Sequence, residues 1–436
     1  MPKPIPGQQY TVQPGDTLSD IASRAYGLPA EHTRIMNANG ITNADKIIVG
    51  QVLIIPVIPE LETIKRRFFA GSVKDEGFVL KLGDRILPVQ SGKLVMDMSK
   101  PADQWSARIA WEPGLDTELD KLTAPFSYSP AQVYLDGELK LTGRLWIVRQ
   151  KNTENGRIKE LEGMSLSGDI AESNLQNNFQ FDSSTLEQLN KDILNKTMGI
   201  AEKLDEGVKV DGQFILETAR YTETIYQYLL RMSNIKNVLQ SSSPDGGLLL
   251  TKAKLDGPTI GTISEEKDQI VESWEGEFNG HDLYNTYQAI RTGSKKVKNK
   301  IATLVDPLVP FYRVMNFKVD AGDIRDLPEI VKWKRNLQLA KAMTLDLPVT
   351  TWLGPDDEIW RPNTKVTIES PTLGVPAGFT FLIPKVELEW DGQGRTGAVS
   401  ILPPTVYSNL EPDLPWVKKD VSISVEDLKL SSKTGK

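Results

Sequence analysis

The side chains that most often carry covalent or metal chemistry are nearly missing from this sequence: it has no cysteine and only two histidines, His32 and His281. Without thiolates there is no disulfide framework, no thiolate metal site and no cysteine nucleophile. His281 has no HxxE-type or cysteine companion, and His32 falls in a short helix, so neither spacing supplies zinc ligands or a nucleophile's base. Carboxylates are plentiful at 58, yet cleaving a glycosidic bond needs two of them placed on either side of it. Glu172, Asp192 and Glu217 stand isolated and mark no such pair. The cluster Asp245-Gly246-Gly247 resembles a phosphate loop only superficially, since no Lys-Ser/Thr and no helix follow, and it reads as a turn. These residues point to no enzyme and no cofactor.

The elements that would have to position any site are those of an ordinary globular chain. Its 436 residues are 39% hydrophobic and 25% charged, which at ~150 residues per domain suggests about three domains. Lys+Arg 51 against Asp+Glu 58 gives a net charge of -7, so the surface as a whole repels nucleic acid and anionic lipid. The start MPKPIPGQQYTV shows no apolar core of a signal peptide, and no apolar run approaches the ~18 residues of a membrane span. The expectation is a protein made and first folded in the cytoplasm. Arg291, Lys295, Lys296, Lys298 and Lys300 form a basic run that is either a solvated loop or a pore- or partner-facing patch.

Residues 10 to 56 form a unit of their own. A strand from Tyr10 to Gln13 meets the turn Pro14-Gly15, and Thr17 caps a helix with Asp20 three positions on. Leu18, Ile21, Ala22, Ala25 and Tyr26 recur at helical spacing until Gly27. A second helix follows Pro29 and runs to about Asn39, where Gly40 ends it. The β-branched run Ile47 to Pro56 closes the unit as a strand, giving strand, helix, helix, strand.

With YTVQPGDTLSDIA, the segment Asn37 to Gly40, and GQVLIIP, this unit resembles a LysM domain. That resemblance implies a groove for N-acetylglucosamine units of peptidoglycan or chitin. By position its walls are Gly15, Asp16, Thr17 and Leu18 facing Ile41, Thr42 and Asn43, with backbone amides meeting N-acetyl groups. The other reading of the same unit is a folded spacer that contacts a neighbouring protein. A single copy binds glycan weakly, whereas several copies on one assembly gain by effective concentration. The linker Pro56 to Glu60 is short and proline-bearing and predicts a semi-rigid spacer.

The fold class expected for the whole is α+β and multidomain. It comprises a LysM module over 1–58, a first β-barrel-like domain over 59–172, and an α+β middle domain over 173–254. A second β-barrel-like domain with a helical insertion follows over 255–415, then a flexible or partner-ordered tail over 416–436. In the first β region, Phe78, Leu80 and Leu82 alternate up to Gly83-Asp84, from which a return strand runs through Ile86 to Val89. Trp105, Ala107, Ile109 and Trp111 share one strand face, and Val133 and Leu135 lead into Asp136-Gly137 and a return strand. Trp105, Trp111 and Trp146 are taken as core or interface anchors. In the middle region, Thr185 heads a helix that Gly199 ends, a second helix fits 222–234, and a hairpin turns at Ser243 to Gly247. Beyond it a helix spans Leu327 to Leu345, β pattern resumes over Trp360 to Ile368, and a hairpin turns at Asp391 to Gly394.

The chain beyond residue 58 resembles the baseplate hub proteins of contractile-tailed phages. The residues carrying this are GMSLSGDIAES at 163–173, TLEQL at 185, the run YLLRMSNIKNVLQSSSPDGGLLLTKA at 228–253, WRPNTKV at 360–366 and DGQGRTGAVSILPP at 391–404, in the family's order. The resemblance implies a homotrimer, each subunit giving two similar barrels, so that a nearly sixfold ring joins a hexameric tail tube to a trimeric central spike. Its partners would be that spike, tube or tube-initiator proteins, wedge or sheath proteins and the tape measure protein, with DNA only in transit and peptidoglycan as a ligand of the LysM module. It places the chain in the virion tail baseplate, assembled in the bacterial cytoplasm. Symmetry matching of this kind needs closed contacts and no catalysis. The alternatives are a LysM-targeted peptidoglycan hydrolase, which the poverty of reactive residues disfavours, and a cell-wall-binding adhesin or coat protein, which the missing leader disfavours.

Overall fold

The fold was analysed in a computed structural model, which describes residue 4 and residues 7–26, 32–44, 46–56, 77–154, 156–176, 180–182, 184–210, 212–213, 216–257, 259–291, 300–319, 327–392 and 394–417. These divide into two compact units. One holds residues up to Gly92, Ser106–Leu139 and Arg144–Gly163, and the other Lys93–Trp105, Lys140–Gly143 and Met164 onward. The α+β class holds: short helices punctuate a fold dominated by strands.

In the first unit, β1 (Gln9–Thr11) pairs antiparallel with β2 (Val52–Ile54), and helices α1 (Leu18–Tyr26) and α2 (His32–Ala38) lie between them in sequence. Tyr10, Val12, Leu18, Ile21, Ala22, Ile35, Leu53 and Ile55 form its core, the apolar positions that the strand and helix periods pick out. Leu115, far away in sequence, packs on the same cluster. The closing strand is shorter than its β-branched run predicts. Only Val52–Ile54 pair, while Ile48 and Val49 lie outside the strand with 73% and 58% of their surface exposed. The partner β1 offers three residues, and register with a short strand limits how much of a β-prone run is used.

The rest of this unit is built on a sheet. Its strands are β3 (Phe78–Leu82), β4 (Arg85–Ile86), β5 (Val89–Asp97), β6 (Gln104–Ala110), β7 (Pro130–Leu135), β8 (Glu138–Thr153) and β9 (Gly156–Ser165), and α3 (Thr117–Leu122) sits between β6 and β7. The sheet order is β5-β6-β9-β8-β7-β3-β4, in which β3 pairs antiparallel with β4 and β7. The β7–β8 hairpin forms as its turn predicts: Asp136 and Gly137 both take positive φ, 48° and 83°, which suits a tight two-residue return. Asp136 has a second use, since its Oδ1 accepts the Gly77 N–H at 2.7 Å. The return strand after Gly83-Asp84 is only two residues long, so the expected strand to Val89 is instead split, and Val89 begins β5. Trp111 lies past the end of β6 rather than on its face. Its indole donates to Asp120 Oδ1 at 2.5 Å and takes the Lys159 ammonium over its ring at 4.2 Å.

β5, β6, β8 and β9 each have residues in both units. The second unit begins with α4 (Asp169–Glu172), β10 (Gln180–Asp182) and α5 (Leu186–Asn190), which runs through a π-helical turn into α6 (Lys196–Met198). Then come β11 (Glu202–Leu204), β12 (Leu216–Thr218), α7 (Ile225–Ile235), β13 (Leu239–Ser242) and β14 (Leu248–Thr251). Thr185 and Thr224 each close a full capping box, with Gln188 and Gln227, and Gly199 ends the first helical stretch in the left-handed conformation at φ 69°. The second helix therefore begins at Ile225, three residues later than expected, because Thr224 is the better cap.

The remaining strands are β15 (Thr259–Ser264), β16 (Glu277–Phe278), β17 (Thr286–Arg291), β18 (Lys300–Val305) and β19 (Val314–Val319), followed by α8 (Leu327–Lys341). The chain closes with β20 (Met343–Thr344), β21 (Asp346–Val349), β22 (Thr364–Ser370), β23 (Val375–Trp390) and β24 (Arg395–Leu402). β17 sits between β18 and β19, and α8 packs on that sheet through Leu327, Ile330 and Val331. β15, β22, β23 and β5 follow in order in a larger sheet, with β24 beside β23 and β21 beside β24. α8 stops at Lys341 rather than running to Leu345, because Met343–Thr344 pair with β16 and Asp346–Val349 with β24. Most of the basic run (292–299), most of the linker (57–60) and the tail from 418 onward lie outside the described residues. No helix is long and apolar enough to cross a membrane among the described residues.

Candidate functional site

The seven proposed groove residues of the LysM module are not equivalent once folded. Asp16 is committed to the β1–α1 turn: its carboxylate accepts the Tyr10 hydroxyl and the Gln13 N–H, both at 2.8 Å, and pairs with Arg24. Burial works to raise its pKa, but the Gln13 and Tyr10 hydrogen bonds and the Arg24 guanidinium together hold it below the ordinary carboxylate range. Leu18 is 1% exposed, so its side chain belongs to the core and only its backbone is left for a ligand. Thr17 accepts the Asp20 N–H at 3.1 Å and donates to the Asp20 carboxylate at 2.7 Å, the expected cap.

Gly15 takes φ +87° with open space where a Cβ would stand. Thr42 and Asn43 are exposed. Ile41 packs half-buried on the same core cluster as Leu18, with its amide bonded to Met36 O at 2.9 Å. One further residue organises this end of the module. Asn39 accepts the Ile54 N–H and donates to Ile54 O, both at 2.7 Å, clamping the end of α2 to β2. That two-sided amide clamp explains why an asparagine precedes Gly40. A second surface feature is apolar: Ile48, Val49, Val52 and Ile54 are each at least half exposed.

The residues weighed for catalysis are scattered. Glu172 is exposed on α4, and Asp192 pairs with Lys196 at 2.5 Å. Glu217 lies in β12. His32 opens α2, and His281 sits in an exposed 3-10 turn where its carbonyl accepts from Arg313. Among the described residues no three His, Asp or Glu side chains gather where a metal could be held.

Three carboxyls have raised pKa values, Asp103, Glu202 and Asp306. Burial pushes Asp103 up to about 8, opposed by the Asp97 N–H at 3.1 Å and reinforced by the Asp97 charge. Burial likewise pushes Glu202 up to about 7, opposed by the Asn190 amide at 2.6 Å. Asp103 is tied into the backbone: its N–H donates to the buried Ser165 hydroxyl and its carbonyl accepts the Ser165 N–H, both at 3.0 Å. Neither Asp103 nor Glu202 lines the cavity walled by Leu230 and Trp333 or the one beside Trp416.

Buried ionic chemistry concentrates instead in a clamp on α8. Arg335, 3% exposed, binds both Glu411 carboxylate oxygens at 3.2 and 3.0 Å and approaches buried Asp306 at 3.6 Å. Its neighbour Asn336 donates to the carbonyls of Thr405, Ser408 and Leu410 at 3.3, 2.8 and 2.7 Å. These bonds fasten the segment after β24 onto the helix, and nothing in the sequence pattern announced them.

Comparison with known proteins agrees with both resemblances. Residues 10–56 match the LysM domain, and residues 326–410, which run from α8 to the turn after β24, match the fourth domain of the Mu phage baseplate assembly protein GpP. The baseplate hub protein gp44 of Escherichia phage Mu is 24% identical over 280 residues, 62% of this chain and 73% of that protein. The 43 kDa tail protein of prophage MuSo2 from Shewanella oneidensis shares the fold with a TM-score of 0.62 at 18% identity, over 76% of this chain and 99% of that one. The tail protein from Neisseria meningitidis MC58 gives 0.63 at 17% identity, over 76% and 97%.

Proposed function

We propose that this chain is a structural baseplate hub protein of a contractile phage tail or related injection particle, located in the virion tail baseplate and acting through geometry rather than catalysis. The observation that carries this is the shared fold, which spans nearly the whole of two tail proteins, one of them from a prophage, and is joined by the GpP fourth-domain match at 326–410. Three copies form a collar with near-sixfold symmetry that joins the hexameric tail tube to the trimeric spike and contacts wedge or sheath proteins. Tape measure protein and then DNA pass through its bore. A subunit with net charge -7 suits that passage, because it does not hold the polyanion electrostatically. Closed rotational symmetry provides the stability of such a collar. Mass photometry of the purified protein, alone and with its spike, is expected to give a trimer. A monomer under both conditions overturns the proposal.

The LysM module takes peptidoglycan through the backbone of Gly15 to Leu18 and the loop Ile41 to Asn43, or docks a neighbouring baseplate protein. The groove loops favour the first reading, and the exposed Ile48, Val49, Val52 and Ile54 favour the second. Deleting residues 1–58 separates them. Intact particles with poor infection and loss of sedimentation with purified cell wall mark glycan binding, whereas failure to assemble particles marks docking.

A further inference from the structure

A cavity of about 330 Å³ opens in the second unit between α7 and α8, floored by β19. One wall is the stripe Gln227, Leu230, Arg231 and Asn234 of α7, and the other is Ile330, Trp333, Lys334 and Leu337 of α8. Both walls repeat at i, i+3, i+4, i+7, so each helix turns one continuous face toward the slot. Phe317 and Val319 provide an apolar floor.

The charge of this groove is unlike that of the molecule. Among the described residues no acid lines it, although the chain carries 58, and three cations do: Arg231, Lys318 and Lys334. Arg231 is answered by Glu223 at 3.1 Å. Lys318 and Lys334 have no ion-pair partner among the described residues. Lys334 is half-buried, and its pKa is lowered by burial first and then by Lys341. An ammonium kept partly out of water without a counter-ion is an unfavourable arrangement that an arriving carboxylate relieves.

We infer that this slot is a docking groove for an acidic amphipathic helix of a partner protein, whose apolar side chains enter between α7 and α8 while its carboxylates meet Lys318 and Lys334. Two helical ridges with an apolar floor are a form that accepts a third helix with anchors at i, i+3, i+4 and i+7. Charge complementarity decides the class of occupant. The chain's own segment 418–436 is a poor fit, since it carries five lysines against three acids.

The probe is a fluorescein-labelled synthetic helix of about four turns, with leucines at those spacings and glutamates flanking them, and fluorescence anisotropy is read against the full chain. Two controls carry lysine for glutamate, or the same composition with the spacing scrambled. Saturable binding of the acidic helix is expected, weakened by salt and absent for both controls. In the double variant Lys318→Gln, Lys334→Gln the affinity should fall about tenfold, equivalent to about 1.4 kcal/mol. Circular dichroism melting checks that the variant remains folded, and the neutral glutamines keep the side-chain length. Absence of binding, equal binding of the lysine helix, or unchanged affinity in the folded double variant each overturns the inference.

Discussion

Replacing Arg335 by alanine is expected to destabilise the second unit by about 3–5 kcal/mol, because it removes one partner of a buried ion pair and leaves the other behind. Arg335 and Asp306 each show 3% side-chain exposure. The Asp306 pKa is already raised by burial, against the Leu308 N–H and Arg335 that oppose it, so losing Arg335 raises it further. Glu411 on the other side is 77% exposed and recovers its hydration without cost, so the damage comes from the Asp306 side. Arg335→Lys should restore little, since an ammonium does not reproduce the two-pronged contact with Glu411. Arg335→Met combined with Asp306→Leu should recover most of the loss, because no stranded charge remains. Denaturant midpoints for the three variants check this order. If Arg335→Ala and the double variant are equally unstable, side-chain packing and not charge is what the clamp supplies.

Asp103→Asn is expected to make the second unit more stable at pH 8 and to change little at pH 4. The Asp103 pKa is about 8 in the fold, against an ordinary value of 3.8. Between those values the native state holds a proton that the unfolded chain has released. The stability contributed at this position therefore falls as pH rises from about 4, at about 1.4 kcal/mol per pH unit, and levels off above about 8. The total is at most about 6 kcal/mol for a group this deeply buried. Asparagine keeps an oxygen to accept the Asp97 N–H and never ionises. Calorimetric unfolding of both proteins from pH 4 to 9 should therefore show a slope in the wild type that is flattened in the variant. Parallel profiles would mean that Asp103 is ionised and solvated in the fold.

Local order was legible in the sequence to the extent that it depends on neighbours along the chain. The LysM module could be read from its glycines, its Thr17 cap and its apolar spacing, and its core is composed of those same apolar positions. The Asp136-Gly137 hairpin, the caps at Thr185 and Thr224 and the stop at Gly199 are likewise contained in windows of a few residues. The groove was only half legible. Its loops could be located, but that Asp16 is spent on Tyr10, Gln13 and Arg24, and Leu18 on the core, depends on which atoms meet after folding.

What only the tertiary structure decided is everything set by partners distant in sequence. A helical pattern continues past Lys341, yet strand pairing with β16 and β24 takes residues 343–349 away from it, since ladder bonds to distant strands outweigh weak helix propensity. Lys159 is buried against Trp111 and Thr123, and Arg335 against Asp306 and Glu411, by contacts that span tens of residues and leave no periodic trace. The slot between α7 and α8 belongs to this second class. The apolar stripe of α7, Ile225, Tyr228, Leu229 and Met232, is spent on the core, and the slot is walled by another face of that helix, which only folding sets beside α8 a hundred positions on, with no acid among the described lining residues.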